Sequence, residues 1–233
     1  MSSETPVALV VGASRGLGRD IALWLARQHA HCVLLARSQK DLEETEDAIK
    51  AQGSSAVSLA VMDVTDAGAL AVVTQRIAER FGRLDGLVYN VGCQPPLMPI
   101  DQLSVDDWQR AFNVNVTAAW HCIKALTPLL LASSDARAVF VTCREAQKQP
   151  YWGGLAASKG ALEAMVLSWA AEHSRDSLRV NLFDPGPLLS EARSASGASL
   201  QGAKKAIDVI EALKPLLEKG GTQRGTIVQA QKS

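Results

Sequence analysis

Residues 7–11, Val-Ala-Leu-Val-Val, run without a break into Gly12-Ala-Ser-Arg-Gly16-Leu-Gly18, and an amphipathic stretch follows. No other junction narrows the possible folds of this chain as much. A short, wholly apolar run reads as a strand buried on both faces. The glycines let the backbone turn tightly and approach a bound group closely. The helix that follows directs free N–H groups and its positive dipole end at the same point. The segment therefore predicts a strand, a loop and a helix cradling a pyrophosphate, with Gly12, Ser14, Arg15, Gly16, Leu17 and Gly18 as its contact residues. Leu17, Ile21 and Leu25 recur every four residues and give that helix its apolar stripe.

The same alternation continues along the chain. Short apolar runs at 7–11, 32–36, 56–61, 87–89, 138–142, 178–183 and 226–229 read as strands. Helical patterns lie between them at about 17–29, 39–52, 66–81, 104–131, 152–173 and 203–219. Strand–helix alternation implies right-handed βαβ units and a single doubly wound parallel sheet, an α/β fold. The 233 residues suit one domain, 1–233, with no repeat and no low-complexity linker. Residues 190–202 are rich in Ser, Ala and Gly and have little pattern. They are expected to be either mobile over the site or a solvated loop, and residues 190–220 as a whole to form a short segment on the substrate side.

Charge and cysteine usage exclude several classes. Lys and Arg number 24 and Asp and Glu 24, with no long run of either sign, so neither a nucleic-acid footprint nor a polybasic membrane patch is expected. The opening Met-Ser-Ser-Glu-Thr-Pro lacks a basic and an apolar region, and no apolar stretch is long enough to span a bilayer. A cytoplasmic protein is expected. Cys32, Cys93, Cys122 and Cys143 are far apart, which argues for free thiols and against a metal site or a disulfide framework.

The second strand ends in Ala36-Arg37-Ser38. A carboxylate there would bond a ribose 2′-hydroxyl, whereas an arginine accommodates a 2′-phosphate. Arg37 and Ser38, with Arg15 from the glycine loop, therefore favour NADP(H) over NAD(H).

The spacing Gly12-x-x-x-Gly16-x-Gly18, the pair Asp63-Val64 after the third strand, Asn90-Val91-Gly92 after the fourth, and Lys159 in Leu155-Ala-Ala-Ser-Lys159 on a later helix resemble the main branch of the short-chain dehydrogenase/reductase family. The resemblance spans about residues 6–190. It implies a Rossmann fold with a seven-stranded parallel sheet, and an oxidoreductase acting on a small molecule by hydride transfer. It places Asp63 and Val64 along the adenine, Asn90 as a structural residue, Val91 and Gly92 at the cofactor, and Pro185-Gly186 beside the nicotinamide. It assigns Asn115 to holding a water and Lys159 to the nicotinamide ribose. It also implies a homodimer or homotetramer through the helices at 104–131 and 152–173, with Trp120, Leu167 and Trp169 as candidate surface residues.

The chain departs from the family pattern where the chemistry is done. The tyrosine that precedes the lysine by four residues is Leu155. The serine before it is Thr142 by spacing or Cys143 by the end of the strand. The two tyrosines are Tyr89, at the fourth strand, and Tyr151, eight residues before Lys159, from which it is rotated by roughly 80° on a helix. The expectation is thus an NADP(H)-dependent oxidoreductase of carbonyl, alcohol or enone substrates with an altered proton donor. Its alternative is a catalytically inactive NADP(H)-binding protein serving as a sensor or subunit.

Overall fold

The computed structural model describes residues 5–54 and 56–230. Seven parallel strands form one sheet in the order β3-β2-β1-β4-β5-β6-β7. They are β1 (Val7–Val11), β2 (His31–Ala36), β3 (Val57–Val61), β4 (Gly86–Tyr89), β5 (Arg137–Val141), β6 (Arg179–Asp184) and β7 (Ile227–Gln229). All seven expected strands are present, and the order reverses between β1 and β4, the position at which doubly wound sheets open a ligand crevice.

β1 is buried along its whole length, as a central strand must be, with Leu9, Val10 and Val11 fully enclosed. β3 differs from its sequence expectation of a strand buried on both faces. It lies at the sheet edge with only one neighbour, so its residues are half-buried and Val61 is exposed.

Helices cover both faces: α1 (Gly16–Arg27), α2 (Gln39–Ala51), α3 (Ala67–Phe81), α4 (Val105–Phe112), α5 (Ala118–Leu131), α6 (Gly153–Glu172), α7 (Glu191–Ala195) and α8 (Ala206–Leu217). α1 buries Leu17, Ile21 and Leu25 against one face of the sheet. α8 joins it there through Val209, Ile210, Leu213 and Leu216. Most of the 190–220 segment therefore covers the sheet, and only its first part reaches the substrate side.

The long helical pattern at 104–131 is not one continuous α-helix. Residues Asn113–Thr117 form a π-helical turn between α4 and α5. Such a turn has one extra residue per turn and is characteristically found at functional sites. It brings Asn115 to full burial at the inner face.

Candidate active site

The cleft lies at the carboxyl ends of β1, β4 and β5 and has a volume of about 1810 Å³. Ligand pockets for a single drug-sized molecule are ~300–1,000 Å³, so this cleft has room for a dinucleotide and a second reactant.

Its floor is the glycine loop. Gly12 has φ +86°, a conformation that L side chains rarely adopt. A Cβ on Gly18 would stand 2.0 Å from Gly12 O and 2.7 Å from Asn90 Nδ2, so only glycine lets α1 sit this close. Asn90 Nδ2 donates to Gly12 O at 3.3 Å and ties the end of β4 to the loop. The first turn of α1 carries no acidic residue, and its N-cap residue Arg15 makes no side-chain capping bond. The uncapped helix start and its positive dipole end suit an anionic pyrophosphate. Ser14, Arg15, Gly16 and Leu17 line the cleft here.

Arg37 and Ser38 line the same cleft. Ser38 caps α2 by accepting from Asp41 N. The Arg37 side chain is largely exposed, with Asp63 Oδ2 3.9 Å away. Asp63 bonds Thr65 through its backbone N and hydroxyl, at 2.9 and 2.7 Å, and these bonds hold its carboxyl below the usual range. α3 is capped by Asp66, which accepts from Ala69 N at 2.9 Å, so Asp63 is left free of that role. Val64, Val91, Gly92, Pro185 and Gly186 complete this wall. The donor set fits a dinucleotide with a 2′-phosphate: an uncapped helix start, open glycines and an exposed guanidinium.

At the other end stand the residues assigned to chemistry. Asn115 is closed upon itself. Its Oδ1 accepts from Cys93 N at 2.7 Å, and its Nδ2 donates to Cys93 O and to Ser158 Oγ, both at 2.9 Å. Lys159 Nζ donates to Val141 O at 2.9 Å, at the end of β5. Desolvation of this buried amine lowers its pKa to about 8, with partial opposition from Cys143 and Glu163.

Thr142 and Cys143 both line the cleft. Thr142 is 2% exposed, and its hydroxyl donates to Glu163 Oε1 at 2.6 Å. Burial raises the Cys143 pKa, with smaller opposing contributions from the Ala146 N–H and Lys159. Leu155 packs with Ala146, Trp152 and Ala198 in a small apolar cluster of its own, with Cys143 and Leu97 against it. Neither tyrosine takes its place. Tyr89 is fully buried and donates to Val114 O at 2.7 Å, and Tyr151, at φ +72°, is exposed and does not line the cleft.

Four residues to which the sequence assigned no individual role also shape the site. Glu163 lies one turn beyond Lys159, and a charge on the buried face of an apolar helix was its legible signal. Trp152 walls the cleft. Arg193 grips both oxygens of Glu145 at 2.9 and 3.0 Å, donates to Ser199 O at 2.7 Å and lies over the Trp152 ring. Gln94 Nε2 is buried beside the cleft without a partner. Only the three-dimensional packing reveals the last two arrangements.

Among the described residues no group of three or more His, Cys, Asp or Glu side chains is placed to hold a metal ion, and no helix is long and apolar enough to cross a membrane. All four cysteines are free, and burial pushes the Cys32 and Cys122 thiols up to about 12. Of the candidate surface residues, Trp169 is instead a core residue packed edge-on against Phe140, while Trp120 is 44% exposed.

The family model for short chain dehydrogenase matches residues 6–201. The chain is 33% identical over 193 residues to the uncharacterized oxidoreductase YciK of Escherichia coli K12, which covers 82% of this chain and 76% of that protein. A short-chain-dehydrogenase structure from Escherichia coli CFT073 complexed with NADPH superposes with a TM-score of 0.90 at 30% identity, covering 97% of this chain and 96% of that one. One from Shigella flexneri 2a complexed with NADP superposes at 0.89 and 29% identity, covering 97% of each chain.

Proposed function

We propose, from the premise that this chain belongs to the short-chain dehydrogenase family, that it is an NADP(H)-dependent oxidoreductase of small carbonyl, alcohol or enone compounds. The observation that carries this reading is the placement of Lys159. Its amine is anchored at the end of β5, within the cleft that the glycine loop opens. The NADPH and NADP complexes of similar structures support the cofactor, and Arg37 supports its phosphorylated form.

Bound NADPH supplies a hydride. The chain's own residues bind, orient and handle the proton. Gly12, Ser14, Arg15, Gly16, Leu17 and Gly18 receive the pyrophosphate, and Arg37 and Ser38 the 2′-phosphate. Asp63 and Val64 flank the adenine, Asn90 fixes the floor, and Val91, Gly92, Pro185 and Gly186 bound the nicotinamide end. Lys159 holds the ribose. Asn115 fixes the Cys93 backbone and the Ser158 hydroxyl behind it. Trp152, Leu155 and Leu188 offer an apolar surface to the substrate body. The exposed Trp108 and Trp120 on α4 and α5 suit a homodimer or homotetramer contact.

A second reading, an NADP(H)-binding protein without turnover, is favoured by Leu155, which has no proton to give. The two are separated by measuring NADPH binding alongside NADPH oxidation over a carbonyl and enone panel, with Lys159→Ala as control. Turnover that the control loses supports the enzyme. Tight binding without turnover supports the second reading, and absence of NADPH binding overturns both.

A further inference from the structure

We propose that Thr142 and Glu163 form the proton route of this cleft. The Thr142 hydroxyl meets the substrate oxygen, and Glu163, acting through it, gains or loses the proton. The proposal rests on the reading of the cleft as an NADP(H)-dependent oxidoreductase site.

Three observations carry it. First, the hydroxyl donates to Glu163 Oε1 at 2.6 Å, a distance typical of a charge-assisted O–H···O⁻ bond. A hydroxyl has one proton, so while this bond stands Thr142 offers the cleft lone pairs, which is what a substrate hydroxyl needs. Second, Glu163 belongs to the face of α6 that carries Leu155 and Lys159, and it is itself 8% exposed. A carboxylate is seldom buried unless it is bonded or used. Third, the carboxylate has a second side. Oε2 accepts from Gln147 Nε2 at 3.2 Å and lies 3.9 Å from Arg144 Nε, whose side chain is 43% exposed. That side of the dyad thus faces the exposed Gln147 and Arg144, where water can exchange the carboxyl proton. Of the other candidate donors, Lys159 Nζ bonds Val141 O and is assigned to the ribose, Tyr89 bonds Val114 O, burial raises the Cys143 pKa, and Tyr151 is outside the cleft.

In alcohol oxidation the substrate O–H proton passes to Thr142 Oγ1 as the hydroxyl's own proton passes to Glu163 Oε1. The substrate C–H bond breaks, its electron pair leaves with the hydrogen as hydride to NADP⁺, and the O–H pair becomes the second bond of the carbonyl. Glu163 then releases its proton through the Gln147 and Arg144 side. Carbonyl reduction is the reverse and starts from protonated Glu163. Reduction consumes a proton at Glu163 and oxidation releases one there, so reduction should slow, and oxidation quicken, as pH rises. The charged and titratable groups around that carboxylate are Lys159 on its own helix, Arg144 on the segment after β5, and Cys143 beside Lys159; Thr142 and Gln147 are its neutral partners.

The test compares the parent with Glu163→Gln, Thr142→Val and Thr142→Ser. Glu163→Gln keeps an acceptor for the hydroxyl but cannot exchange a proton. It should lose about 10²-fold or more in kcat and flatten the pH limb, with NADPH affinity unchanged. Thr142→Val should behave alike, and Thr142→Ser should recover activity. A Glu163→Gln enzyme that keeps both rate and limb overturns the proposal, as does full activity in Thr142→Val. A parent that binds NADPH yet turns nothing over also overturns it, whereas a parent that binds no NADPH sinks the functional reading beneath it.

Discussion

Leu155 stands one helical turn before Lys159 on the same buried face of α6, the leucine 6% exposed and the lysine 5%. The cation that would lower the pKa of a neighbouring acid is in place, and the neighbour is a hydrocarbon. The leucine is fixed by Trp152, Ala146 and Ala198, so the site is a packed arrangement and not a collapsed one.

Replacing Leu155 with Tyr should put a hydroxyl at the mouth of that arrangement. Carbonyl reduction by Leu155→Tyr in the Glu163→Gln background should exceed that of Glu163→Gln alone by about 10²-fold, the lower end of what one positioned acid contributes. The larger ring enters a packed cluster, so stability should fall by ~1–3 kcal/mol. Rates and thermal melts of the two proteins check both halves.

Lys159 is charged at a cost. The fall of its pKa from the ordinary 10.5 to about 8 corresponds to roughly 3 kcal/mol, at ~1.4 kcal/mol per pH unit. The unfolded chain holds this proton more tightly, so the cost is absent above about pH 10.5, grows as pH falls, and is complete below about pH 8. Lys159→Met should therefore melt higher than the parent at pH 7 in the absence of cofactor and lose that advantage by pH 10–11. It should also lose turnover. Melting curves against pH decide the matter.

Arg193 and Glu145 join α7 to the segment after β5 by a bidentate, largely buried pair. Breaking such a pair leaves one charge without its partner. Glu145 is 21% exposed, which moderates the loss to roughly 2 kcal/mol. Arg193→Ala should lower Tm by about 4–8 °C and raise KM more than it lowers kcat, because the residue walls the cleft without touching the proton route.

Arg37→Ala should weaken NADPH binding by about 10–100-fold, the span of a charge-assisted bond of ~1.5–3 kcal/mol, and leave NADH binding within about twofold. Fluorescence titration of the two reduced cofactors measures the difference.

The fold was legible because its signals are local and repeated. Apolar runs mark the strands, and Gly12, Gly16 and Gly18 stand where backbone must turn or pack closely. The edge position of β3 was not legible, since Val57–Val61 is as apolar as an inner strand and only the sheet order exposes it. The π-turn at Asn113–Thr117 was hidden for a different reason: one extra residue in a turn leaves a helical pattern nearly unchanged. At the site, Leu155 and Lys159 were readable from their spacing on one helix. The engagement of Thr142 by Glu163 was not, because the residues lie 21 positions apart on different elements. The same holds for Arg193 and Glu145, which lie 48 apart.

Hydride transfer itself is the most direct test of the account. Purified protein is incubated with NADPH deuterated at C4 of the nicotinamide, on each face in turn, and a carbonyl and enone panel, and the products are read by mass spectrometry. The account predicts deuterium on the reduced carbon of at least one product, from one face only, with none from Lys159→Ala. Tight NADPH binding with no deuterium in any product would contradict it and leave a binding protein.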